Sequence, residues 1–179
     1  MSDYLYIDTN SRQDELYQEA VAGYGAALDR LARAYEAHPE ERRDLLQDIH
    51  LGLWRSFEAF DGRCSLRTWV YRVAHNVATS HVIRQRRKNS VLVTLEAIEA
   101  MPDGFCGTHD QRVNLERLMA LIQRLKPLDR QMTLLYLEGM DAASIGEIIG
   151  ASAGGVATKI HRIKSILARR FNEGERDAE

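Results

Sequence analysis

Residues 42–88 read RRDLLQDIHLGLWRSFEAFDGRCSLRTWVYRVAHNVATSHVIRQRRK, and the stretch changes character halfway along. Its first half mixes charges around Leu45, Leu46, Ile49, Leu53, Trp54 and Phe57, an apolar stripe that predicts an amphipathic helix over about 42–57. Phe60, Asp61, Gly62, Arg63 and Cys64 follow as a turn pivoting on Gly62, and Ser65 is placed to cap a further helix expected over about 66–87. From Gly62 to Lys88 there are seven Lys or Arg and no Asp or Glu, interleaved with Trp69, Tyr71, His75 and Asn76. Cations neutralise phosphates and flat rings stack on bases, so an acid-free basic helix of this kind reads as facing nucleic acid. Leu66, Val70, Val73 and Val77 make its expected buried stripe, while Thr68, Arg72, Asn76 and Thr79 lie on another face. Arg72 and Asn76 stand one turn apart and can address the same few nucleotides.

Upstream, Leu16, Ala20, Tyr24, Ala27, Leu28, Leu31 and Tyr35 recur at helical spacing, predicting a helix over 13–35 despite Gly23 and Gly25. Residues 1–12 carry no period and are expected to form a loose arm. Pro39 breaks the chain between the first two helices and can itself stand near the start of the second. Three helices with short connections make one small bundle over 13–88.

Downstream, NSVLVTLEAIEAMPDGFCGTHD (89–110) has no sustained period and holds Pro102, Gly104 and Gly107. It reads as a linker over 89–111, with room for a short strand or helix at Val91 to Ile98, and so as a domain boundary. Periodicity resumes at Val113, Leu115, Leu118, Leu121, Ile122 and Leu125, then restarts after Pro127 in a helix expected over 129–138. Residues 142–149 are a short helix, Gly150, Ala151 and Ser152 a turn, and residues 153–171 a longer helix bearing Lys159, Arg162, Lys164, Arg169 and Arg170. Ile145, Ile149 and Val156 can form the core between them, with Gly146 where the backbones approach and Gly150 where positive φ is needed. That is a helix-turn-helix with a basic second helix, in a domain expected over 112–171, followed by a disordered tail at 172–179. The fold class is therefore all-α: two small helical domains joined by a flexible linker.

The net charge of −2 would argue against nucleic acid until it is divided along the chain. Residues 1–61 carry −7, residues 62–88 carry +7 and residues 151–171 carry +5. Two basic islands predict two separate phosphate-facing surfaces. No apolar run approaches the roughly 20 residues of a spanning helix, and the N-terminus is polar and acidic, so a cytoplasmic protein without membrane insertion is expected. Cys64 and Cys106 stand far apart with no Cys/His cluster, which encodes neither a disulfide framework nor a metal site. No cofactor is called for: there is no glycine-rich phosphate loop and no HExxH spacing, and no Ser/His/Asp grouping can be argued. An enzyme is thereby disfavoured.

With both halves laid out, the sequence resembles the extracytoplasmic-function class of bacterial sigma factors over most of residues 16–171. DLLQD at 44–48 followed by Leu53 and Trp54, then LRTWVYRVAHN at 66–76, look like that family's second region. LKPLDRQ at 125–131, LYLEGM at 135–140 and the helix-turn-helix look like its fourth region. The resemblance implies core RNA polymerase and promoter DNA as partners. Asp44, Gln47 and Asp48 would then face the clamp helices of the largest polymerase subunit. Phe60, Asp61, Gly62, Arg63, Cys64 and Ser65 would form the loop that captures an unstacked base of the minus-ten element, with Arg72 and Asn76 beside it. Phe60 and Trp69 are candidates for stacking or wedging there, although Trp69 also follows the apolar stripe closely enough to be core. Ala157, Thr158, Lys159, His161 and Arg162 would lie along the major groove at the minus-thirty-five element.

Asp61 and Arg63 reverse the charges usual in that family, Cys64 replaces a usual serine and Ala157 a usual basic residue. The linker would permit an anti-sigma protein to clamp the two domains. The other reading open to this sequence is a self-sufficient helix-turn-helix repressor or activator, for which the basic aromatic helix at 66–88 has no role.

Overall fold

The computed structural model describes residues 3–86 and 111–176, with side chains described over 11–85 and 114–169. Contacts divide the chain into two units, Met1–Arg87 and Lys88–Glu179. Residues 89–110 of the expected linker, with the short element at Val91 to Ile98, lie outside the described residues, as do residues 177–179.

The first unit is a three-helix bundle of α1 (Asp3–Tyr35), α2 (Pro39–Ser56) and α3 (Leu66–Arg86), with a 3₁₀ turn at Phe57–Ala59 after α2. Pro39 occupies the first turn of α2, where a missing N–H costs nothing and the fixed φ suits the helix, so α2 begins ahead of the expected Arg42. The core is Ala20, Ala27, Leu28, Leu31 and Tyr35 of α1 against Leu45, Ile49 and Leu53 of α2, closed by Val70, Ala74, Ala78 and Val82 of α3. Gly52 lets α2 and α3 approach: a Cβ there would stand 3.0 Å from Val77 Cγ2.

Two expectations for this unit need correction. Residues 3–12 are the helical start of α1 and not a loose arm; with no Gly or Pro between Asp3 and Gln13, a helix nucleated by its packed portion propagates outward one hydrogen bond per residue. The buried stripe of α3 is also rotated. Val70 is buried, but Leu66, Val73 and Val77 are only half-buried, and the remaining core positions are Thr68, Tyr71, Ala74, His75, Ala78, His81 and Val82. Tyr71 and His75, expected among the residues facing nucleic acid, are core side chains at 2% and 1% exposure. Their rings provide apolar area, and the Tyr35 hydroxyl shares a 3.0 Å hydrogen bond with His75 Nδ1.

The second unit contains α4 (Gln111–Arg124), α5 (Pro127–Leu137), α6 (Ala142–Ile149) and α7 (Ala153–Arg176). Leu121 and Ile122 of α4 and Leu125 just after it are buried with Leu134 and Leu135 of α5, Ile145 and Ile148 of α6, and Val156, Ile160, Ile163 and Ile166 of α7. Arg130 is 2% exposed; its guanidinium donates to the carbonyls of Gln123 and, at 3.2 Å, Leu125, which the end of α4 leaves without helical partners. Ile149 is half-buried, so Ile148 takes the place expected for it in the core of the helix-turn-helix. The α7 backbone continues through residues 172–176, where a disordered tail was expected; Gly174 lowers helix propensity there without breaking the helix.

Candidate nucleic-acid interface

The loop from Phe60 to Ser65 leaves the 3₁₀ turn and enters α3 through a defined set of contacts. Gly62 has φ 76°, a conformation open to glycine at little cost. The atypical pair across it is self-complementary: Asp61 Oδ1 accepts from the Arg63 backbone N–H at 3.1 Å, and Asp61 Oδ2 lies 3.0 Å from Arg63 Nε. Both side chains are well exposed, so this pair shapes the loop more than it stabilises it. Ser65 caps α3, its Oγ accepting from the Thr68 N–H at 3.1 Å. The Cys64 thiol is free and half-buried.

Beneath the loop lies an aromatic group. The Phe60 ring is 5.2 Å from Trp69, tilted by 60°, and meets Phe57 edge-on at 6.3 Å. Trp69 Nε1 donates to Ser56 Oγ at 2.9 Å, which satisfies the indole while Trp69 stays half-buried. Trp69 is thus neither full core nor a free wedge.

Asp44, Gln47 and Asp48 are all exposed on α2. Asp48 Oδ2 lies 3.3 Å from Arg84 Nη2 of α3, with the two side chains exposed at 50% and 65% respectively. An open groove of about 390 Å³ between α2 and α3 is lined by Asp48, Leu51, Gly52, Asn76, Ser80 and Arg84, among others. The residue expected to meet a protein and one expected to meet DNA therefore share one groove. Arg72 is half-buried and does not line it.

In the second unit Asp141 caps α6, its carboxylate accepting from the Ser144 N–H at 2.7 Å, and that hydrogen bond holds the acid below its ordinary pKa. Gly150 closes the helix at φ 74°. Gly146 is buried, and a Cβ there would come within 2.5 Å of the Ala151 carbonyl oxygen, the close approach expected from sequence. Ala157, Thr158, His161 and Arg162 are exposed along α7. Lys159 is different: its Nζ lies 3.2 Å from Asp129 Oδ1. Sequence reasoning missed Asp129, thirty positions away, because acids near a helix start are ordinarily read as solvated.

Residues 20–88 match the sigma-70 region 2 family model and residues 115–167 the sigma-70 region 4 model. The chain is 28% identical over 142 residues to the ECF RNA polymerase sigma-E factor of Haemophilus influenzae, covering 72% of this chain and 73% of that protein. It is 24% identical over 174 residues to the RNA polymerase sigma factor CnrH of Cupriavidus metallidurans, covering 92% and 91%. The fold resembles that of CnrH solved in complex with the cytosolic domain of CnrY, at a TM-score of 0.66 and 20% identity over 95% of this chain and 96% of that one. It also resembles the sigma factor RpoE of Bartonella quintana solved with the anti-sigma factor NepR, at 0.66 and 16% over 87% and 96%.

Proposed function

We propose a division of labour between the two units that starts from one fact: the chain belongs to the extracytoplasmic-function class of bacterial sigma factors. It is an alternative sigma factor, a subunit that binds core RNA polymerase and directs initiation at promoter DNA. The observation that carries this is the ordered pair of region 2 and region 4 matches. A self-sufficient helix-turn-helix regulator has no use for the first of them.

In the proposed arrangement Asp44, Gln47 and Asp48 meet the clamp helices of the largest polymerase subunit. The loop from Phe60 to Ser65 takes up an unstacked base of the minus-ten element, with Arg72 and Asn76 beside it. Sheltering a flipped base offsets part of the unpairing cost, a few kcal/mol, which couples strand opening to recognition. The groove shared by Asp48 and Asn76 supports that coupling, because polymerase and the opened strand would meet on one surface. In the second unit Ala157, Thr158, His161 and Arg162 of α7 would approach the minus-thirty-five duplex, with arginines elsewhere on the helix meeting phosphates. No residue is assigned a bond-making role and no cofactor is needed. A chain acting on polymerase would work in the cytoplasm, and none of its described helices is long and apolar enough to cross a membrane. A cytosolic anti-sigma partner belongs to the same proposal, supported by the complexes in which similar folds were solved.

Asp48 tests the protein face. Its exposed pair with Arg84 is worth about 0–1 kcal/mol, so Asp48 can change partners at little cost. Asp48→Arg is expected to weaken binding to core polymerase by at least about tenfold with an unchanged thermal midpoint. A fluorescence titration against core polymerase reads this, and unaltered affinity would take Asp48 out of the interface. Arg162→Ala tests the duplex face: a loss of roughly 1–3 kcal/mol confined to particular base pairs marks base reading, whereas a uniform loss across sequences marks a phosphate contact.

A further inference from the structure

Both lysines of α7 reach back to α5. Lys159 Nζ lies 3.2 Å from Asp129 Oδ1, and Lys164 Nζ donates to the Tyr136 hydroxyl at 3.0 Å. The two contacts are not equivalent. Tyr136 is exposed, whereas the Asp129 side chain keeps only 10% of its surface, in the first turn of α5. A carboxylate this enclosed is costly without a cation, and an enclosed pair is screened by salt far less than a surface one. Lys159 retains 35% exposure and lies on α7 among Ala157, Thr158, His161 and Arg162. Its ammonium is therefore committed inside the unit, although its position in the chain is that of a DNA contact.

We infer that Asp129 is a specificity-setting positioning residue for duplex reading: it withholds Lys159 from the phosphates and struts α7 against α5. The inference rests on the reading of α7 as the duplex-facing helix. Specificity is the difference between affinities for right and wrong DNA. A lysine free on this helix would attract any phosphate and raise binding to every sequence. Loss of the strut would let α7 roll on its apolar stripe and loosen the contacts that depend on orientation. Both effects lower the ratio of specific to non-specific binding, and one buried acid suppresses both.

The test is fluorescence anisotropy of the full-length chain on a random-sequence 30-base-pair duplex across a potassium chloride series. Asp129→Asn is expected to bind roughly three- to tenfold more tightly at low salt, with the slope of log K against log salt steeper by about 0.9, the signature of one added phosphate contact. Adding Lys159→Gln to Asp129→Asn should return both to wild type. Lys159→Gln alone should leave the salt slope unchanged, because the lysine it removes touches no phosphate, even though the uncompensated Asp129 makes the unit less stable, and this variant carries the test if circular dichroism finds Asp129→Asn unfolded. A folded Asp129→Asn with a wild-type slope overturns the proposal. So does a Lys159→Gln slope shallower by about 0.9, which would put Lys159 on DNA already. Removing Arg162 and Arg169 together separates the underlying reading: if that leaves duplex binding untouched, α7 does not face DNA, and the proposal falls with it for that distinguishable reason.

Discussion

Gly146→Ala is expected to destabilise the second unit by about 1–3 kcal/mol, even though Gly to Ala within a helix ordinarily stabilises by up to about 1 kcal/mol. The reversal of sign comes from what the new methyl group would meet. The added Cβ falls 2.5 Å from the Ala151 carbonyl oxygen, 3.5 Å from its carbon and 3.6 Å from the Ala153 nitrogen. All three are backbone atoms of the turn, so no side-chain rotation can relieve the contact. The Gly146 carbonyl itself accepts from the Gly150 and Ala151 N–H groups at 2.9 and 3.0 Å, so moving the turn away also loosens the hydrogen bonds that close α6. In a unit this small such a loss is a large share of total stability. Gly154→Ala is the internal control: nothing lies within 4 Å of its Cβ, and it should be neutral or stabilising. Thermal unfolding of the two variants followed by circular dichroism checks the pair. Equal midpoints would show that the turn has room the geometry denies it.

Acidification is expected to weaken the first unit ahead of the general loss of carboxylate charge. Burial pushes the His75 pKa down to about 3. Its Nε2 has no hydrogen-bond partner, and the rings beside it belong to Tyr35 and Tyr71, at 5.7 and 6.5 Å, which offer no carboxylate to an imidazolium. The folded-state pKa is below the unfolded one, so the unfolded chain binds the proton more tightly. Stability from the neutral ring is complete above about 6.5 and is lost as pH falls from there toward 3. Between pH 7 and pH 5 the loss from this group is about 2 kcal/mol. Burial lowers the His50 pKa as well, against the opposing charge of Asp29, and this contributes in the same direction. Trp54 and Trp69 both lie in this unit, so urea unfolding followed by tryptophan fluorescence reports on it selectively. His75→Gln should lose most of the pH dependence over this window; an unchanged slope would assign it elsewhere.

The sequence was most informative where one residue type answers one backbone demand. Gly150 and Gly146 identify the turn and the close approach, and Ser65 the cap of α3, from residue type alone. Pro39 stands in the first turn of α2, near the helix start as its chemistry allows, and Pro127 does the same for α5, so both helices begin a few residues ahead of the apolar period that announces them. The face of α3 was harder. Spacing favours the valines for the core, and the basic surroundings favour Tyr71 and His75 for stacking on bases, yet a phenol and an imidazole with suitable neighbours bury well. The tie between Lys159 and Asp129 left no local trace at all, since pairing across thirty residues is a property of how α5 and α7 pack. The mutual pairing of Asp61 and Arg63 lies between these cases: the departure from the family pattern was visible, and its resolution as a self-contained turn was not.

On the proposed reading the two units together confer promoter selection on polymerase. Run-off transcription with purified core RNA polymerase on a library of the host's genomic fragments tests it most directly. Discrete transcripts are expected that require the chain and are lost when either Asp48→Arg or Gly146→Ala is introduced. Transcript patterns identical with and without the chain, from a protein shown to be folded, would contradict it.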